Sequence, residues 1–193
     1  LFYDATSPDG LSTIAKHWMA GIIAHAPAIT LLHAPTINCL NRYQIFSFSP
    51  INATWGFDNR TCLLRAKPSS PKGTYIENRL GSSGGSPYLS LAGMIIAGLD
   101  GIERQLPLPD PIVGSAYDET KLPPDVLQVP NNMKDALDEF VKDKVITDAL
   151  GEKFVQAFVN AKKHEMRQAE EAKEKGDIHW EENFRKKNNW SEG

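Results

Sequence analysis

Chemistry-bearing side chains concentrate between residues 36 and 80. Four arginines fall there, Arg42, Arg60, Arg65 and Arg79, with Lys67 and Lys72, against the acids Asp58 and Glu77. Arginine stays charged and grips carboxylate or phosphate through a planar fork. Converging guanidinium groups would suit an anionic ligand such as a nucleotide triphosphate or a dicarboxylate. Glu77 among them could hold a divalent metal that bridges phosphates. The alternative is plainer: the arginines pair with acids of the fold, or face outward. The run KGTYIENRL, residues 72–80, frames the choice. In a strand, Tyr75, Glu77 and Arg79 share one face and Ile76 points the other way.

The elements that must carry these residues follow from punctuation and period. Ser12 is a helix cap, and Leu11, Ile14, Trp18, Met19, Ile22 and Ile23 recur at helical spacing. Pro27 starts a second short helix, and Pro35 follows its end. Residues 36–80 read as β-rich, with IFSFS, NATWGF, TCLLRA and TYIENRL as strand-like runs. GSSGGS at 81–86 is a flexible turn. Ser86 and Pro87 then open an apolar helix, expected to be buried all round. Residues 105–131 hold six prolines and read as an irregular loop. Residues 132–150 read as a helix ending at Gly151, and a further helix carries Phe154, Val155, Phe158 and Val159. Beyond Lys163 the apolar stripe gives way to charge, either a solvated helix end or a partner-facing tail. The expected organisation is 1–105, a proline-rich loop at 106–131, and a helical region at 132–193.

Bulk properties narrow the class. The 193 residues carry a formal charge of −3, which gives no footprint for nucleic acid. MAGII and AGMIIAGL are too short to cross a bilayer. No secretory leader is visible, and because the chain opens on Leu1 an upstream portion is expected. Cys39 and Cys62 fit reduced core thiols in a cytoplasmic protein. The sequons at Asn52, Asn59 and Asn189 read as chance matches. His17, His25 and His33, eight apart, read as core or surface histidines rather than metal ligands.

Three stretches resemble the glutamine synthetase family, class I. They are GLSTIAKHWMAGIIAHAPAITLLHAPTINCLNR, SPINATWGFDNRTCLLR and KGTYIENRLGSSGGSPYLSLAGMIIAGLDGI. The resemblance implies an α+β fold, the C-terminal part of an incomplete β/α barrel followed by helices. It implies a ligase that joins ammonia or an amine to glutamate through a γ-glutamyl phosphate, using ATP and Mg²⁺ or Mn²⁺. It also implies a dodecamer of two stacked hexameric rings. Arg42 matches the arginine that holds glutamate, and Arg60 one shared between substrate and phosphate. Arg65 matches a nucleotide-phosphate arginine, Glu77 a metal ligand, and Arg79 an arginine near the reacting end of the substrate.

Two positions depart from the family pattern. Six residues beyond Arg42, where the family has a flap glutamate, stands Phe48. Two residues before Glu77, where it has an arginine, stands Tyr75. A phenyl ring cannot move a proton, and a tyrosine removes one cation from the phosphates. The amine-ligating branch also lacks the flap glutamate, so Phe48 alone leaves catalysis open. The tail ALGEKFVQAFVNAKKHE resembles a lens-fibre branch of the family. That leaning implies a cytoplasmic assembly protein with weak or lost ligase activity and intermediate-filament partners, without nucleic acid or membrane. The alternative is an active glutamate–ammonia or γ-glutamyl-amine ligase.

Overall fold

The computed structural model describes residues 1–177 together with 179 and 180. The expected sequon at Asn189 and the tail from 181 to 193 lie outside the described residues. The element order is α+β, as the sequence implies. Helix α1 (Thr13–Ala24) begins where the Ser12 hydroxyl accepts from the Ala15 amide, and α2 (Ala26–His33) starts with a proline in its first turn. Every residue of α2 is buried. A one-turn helix α3 (Ile37–Leu40) follows the Thr36 cap.

Three short strands come next, β1 (Trp55–Phe57), β2 (Leu64–Lys67) and β3 (Tyr75–Asn78), in sheet order β1-β2-β3. β1 runs parallel to β2 and β2 antiparallel to β3, with Arg65 opposite Glu77 and Lys67 opposite Tyr75. Helix α4 (Pro87–Glu103) leads into the proline-rich loop, whose only regular piece is a 3-10 turn at Glu119–Lys121. Helices α5 (Met133–Lys142), α6 (Lys144–Leu150) and α7 (Glu152–Glu174) close the described chain.

Three expectations change. IFSFS is a series of turns, not a strand, and Phe46 and Phe48 take left-handed backbone at φ 62° and 55°. Alternating aromatics mimic strand period, but two bulky residues at positive φ cannot join a ladder. Residues 132–150 form two helices, because Asp143 ends α5 and its carboxylate then caps α6 by accepting from the Ile146 amide. Helix α4 is not buried all round. Tyr88, Leu91, Ile95 and Leu99 lie exposed along one side, and its buried residues are Gly93, Ala97, Gly98 and Gly101.

That buried side explains how α1 and α4 meet. A Cβ built on Gly21 would sit 2.0 Å from the Ala97 carbonyl and 2.8 Å from the Gly101 Cα. The two backbones touch, and any side chain there would force them apart. The main core gathers Met19, Ile22, Ile29, Leu31 and Leu32 from α1 and α2. It is continued by Trp55 and Leu64 of the sheet and by Phe140 and Ile146 of α5 and α6.

Candidate functional site

Hydrogen bonds fix the proline-rich loop beside the sheet. The Trp55 indole donates to the Pro109 carbonyl at 2.7 Å. The Asn59 amide donates to the Gly114 carbonyl at 2.7 Å, and the buried Asn52 amide to the Ala116 carbonyl at 2.8 Å. Backbone bonds add to these, the Ile112 amide donating to the Trp55 carbonyl at 2.9 Å and Asn52 bridging Gln128. The loop walls a cleft of about 650 Å³ lined by Phe48, Asp58, Arg60, Arg65, Pro111 and Val113, among others.

The register of β2 and β3 puts Arg65 against Glu77. Arg65 donates from Nη1 to Glu77 Oε2 at 2.9 Å and from Nε to Asp58 Oδ1 at 2.7 Å, with Nη2 also on Asp58. Arg79, just past β3, donates from Nη1 to the other Glu77 oxygen and from Nη2 to the Phe48 carbonyl at 2.8 Å. Its Nε is buried with no hydrogen-bond partner among the described residues. Arg42 meets no carboxylate among the described residues. It donates to the Leu80 carbonyl at 3.1 Å and the Arg79 carbonyl at 3.3 Å, and its guanidinium lies 5.0 Å from the centre of the Tyr43 ring.

Arg60 is exposed at the cleft and makes no hydrogen bond or ion pair among the described residues. Tyr75 is 47% exposed and sits opposite Lys67. Phe48 is 61% exposed, its ring out and its carbonyl held by Arg79.

The charges answer one another. Burial works against ionising Glu77, but the hydrogen bond from Arg65 and the charge of Arg79 outweigh it and hold the carboxyl below its ordinary value. The Arg65 hydrogen bond likewise holds the Asp58 carboxyl low, and Glu77 first, then Asp58, raise Arg65.

The fold therefore joins Arg65, Glu77 and Arg79 directly and hangs Arg42 on the backbone of Arg79 and Leu80. Arg60 stands apart, sharing the cleft with Arg65 and Phe48. Asp58 was missed as a member of the site. Its signal was its place in the turn after β1, at φ 48°, which aims the carboxylate back at β2.

Arg60, exposed at the cleft with no carboxylate partner among the described residues, could meet an anion such as a phosphate group. A divalent cation fits less well. Both oxygens of Glu77 are taken by guanidinium groups, and among the described residues no group of three His, Cys, Asp or Glu could hold a metal. Mg²⁺ takes near-octahedral oxygen ligation, so one engaged carboxylate does not make a site.

The family profile of the glutamine synthetase catalytic domain matches residues 1–181. The chain belongs to the glutamine synthetase family. Among curated relatives it is 36% identical over 174 residues to lengsin of Rattus norvegicus, covering 88% of this chain and 30% of that one. It is 34% identical to lengsin of Homo sapiens, covering 91% and 34%. It is 36% identical to gamma-glutamylethanolamide synthetase GlnA4 of Streptomyces coelicolor, covering 81% and 33%. A solved structure titled a GmaS/ADP complex superposes with a TM-score of 0.76 at 30% identity, over 88% of this chain and 40% of that one. The chain thus spans about a third of the length of the curated relatives it matches.

Proposed function

We propose that this chain is part of a glutamine synthetase-like protein whose ATP-dependent ligase chemistry is weak or lost, and whose fold serves assembly. The observation that carries this reading is the clamped Glu77. The one carboxylate matching a family metal ligand is engaged at both oxygens by Arg65 and Arg79. Two substitutions support it. Phe48 offers no proton acceptor where the family has a flap glutamate. Tyr75 leaves a phosphoryl group with one cation fewer, at a step that relies on neutralising crowded oxygens. Similarity to lengsin points the same way.

On this reading the protein is a homo-oligomer, a dodecamer by family resemblance, that resides in the cytoplasm and contacts intermediate-filament proteins. Among the described residues no helix is long and apolar enough to cross a membrane. The test is ADP release by the full-length protein with ATP, glutamate and ammonia or an amine. Release at background rate is expected, and robust glutamate-dependent release rejects the proposal.

A second reading is an active ligase that takes ATP with Mg²⁺ or Mn²⁺. It is favoured by the five retained residues. Arg42 would hold glutamate, Arg60 and Arg65 the phosphates, Glu77 a metal, and Arg79 the reacting end of the substrate. The amine-ligating relative GlnA4 and the ADP-bound structural neighbour belong with it. Calorimetry with Mg-ATP on the assembled oligomer decides against it if no binding heat appears.

A further inference from the structure

A second ionic group lies away from the arginine cluster and takes no part in its chemistry. His25 sits at the corner between α1 and α2 and is 6% exposed. Its Nδ1 lies 2.6 Å from Oδ2 of Asp143, the residue that ends α5 and caps α6. Its Nε2 lies 2.9 Å from Oδ2 of Asp100 on α4.

An ionised carboxylate only accepts hydrogen bonds. A neutral imidazole has one N–H and can satisfy one such partner. Two carboxylates on the two ring nitrogens therefore require the imidazolium. Two charged groups face the ring, Asp100 from α4 and Asp143 from the α5–α6 corner. Arg104, one turn along α4, already donates to the same oxygen of Asp100 at 3.0 Å. Asp143 has no other ion-pair partner among the described residues, so its charge is balanced by His25 alone.

We propose that His25 works as a proton-operated clasp, tying the α1–α2 corner to α4 and to the α5–α6 corner as an imidazolium and giving up one of the two ties when the proton leaves. Burial by itself would push the imidazole down. The hydrogen bonds to Asp143 and Asp100 outweigh it and hold the group above its ordinary value near 6.5. A raised value in the closed state means the tie is complete below the ordinary value and is lost as pH rises through the raised one. Asp143 is held below its ordinary value, since its bond to His25 prevails over burial. At low pH the bond to Asp143 thus persists until that carboxyl is itself protonated. The change stays local, because Phe140 of α5 and Ile146 of α6 hold both helices in the main core.

The test uses the full chain. Long-range ¹⁵N–¹H NMR at pH 6, with the ring assigned by its loss in His25→Gln, is expected to show both His25 nitrogens protonated. Amide exchange beside Asp100 in α4 or beside Asp143 at the start of α6, corrected for intrinsic rate, is expected to speed up by as much as about tenfold per pH unit between the ordinary and the raised imidazole values. That acceleration is absent in His25→Gln. Asp143→Asn keeps the shape and removes one charge, so the ring should lose its proton at lower pH. A neutral single-tautomer ring at pH 6 overturns the clasp. So does a ring in Asp143→Asn that titrates where the wild type does, and so does a shared pH profile in wild type and His25→Gln.

Discussion

Among the described residues, two ionic clusters have centres of opposite polarity. On the sheet, one carboxylate sits between two guanidinium groups, Arg65–Glu77–Arg79. Between the helices, one imidazole sits between two carboxylates, Asp100–His25–Asp143. In the first the cations cannot titrate, so the arrangement persists across any pH at which Glu77 is ionised. In the second the central cation is the group whose charge changes near neutrality. The first is therefore a fixed electrostatic surface and the second a conditional one. The more buried of the two is the conditional one, where an uncompensated charge costs most.

The largest effect should come from breaking the buried cluster. Asp143→Ala removes one of the two carboxylates that face His25 and the cap of α6 together. A loss of about 3–5 kcal/mol is expected at pH 6 by chemical denaturation. A loss below 1 kcal/mol would mean that His25 is neutral there. Glu77→Gln should cost less, about 1–2 kcal/mol, because Glu77 is a third exposed and water screens the freed guanidinium groups.

The pH dependence separates the two clusters further. As pH falls through the lowered value of Glu77, and separately of Asp143, stability present above their ordinary values is lost at both sites. As pH rises through the raised value of His25, only the helical site weakens. Thermal melts of wild type and His25→Gln should therefore differ most near pH 6 and converge as pH rises through the raised His25 value. Smallest of all, Lys67→Ala removes a 3.5 Å contact to the exposed Asp58. No measurable change in melting temperature is expected, and a clear drop would show that the sheet cluster behaves as one network.

Local chemistry made much of this legible in the sequence. Ser12 and Pro27 mark helix starts because capping and proline geometry act within one turn. The common face of Tyr75 and Glu77 follows from strand period. The sheet cluster was half legible. Arg65, Glu77 and Arg79 were identified, but that Arg65 and Arg79 neutralise Glu77 depends on the pairing of β2 with β3, which no local rule supplies. The helical cluster was not legible at all, because Asp100 and Asp143 lie 75 and 118 residues from His25. Equal spacing of His17, His25 and His33 hid three different fates. His17 bonds the Leu106 carbonyl, His25 joins the clasp, and buried His33 bonds the Ile29 carbonyl. The break at Asp143 was missed because the apolar period runs through it unbroken.

The bare contact of α1 with α4 bears on all of this. Side chains normally hold packed helices about 8–10 Å apart. At Gly21 and Gly101 no side chain intervenes, and the two backbones are in direct contact. Asp100 adjoins that joint on α4, and His25 lies one turn beyond Gly21. The bonds of His25 to Asp100 and Asp143 thus join the α5–α6 corner to a helix pair in backbone contact, whose outer side carries Tyr88, Leu91, Ile95 and Leu99.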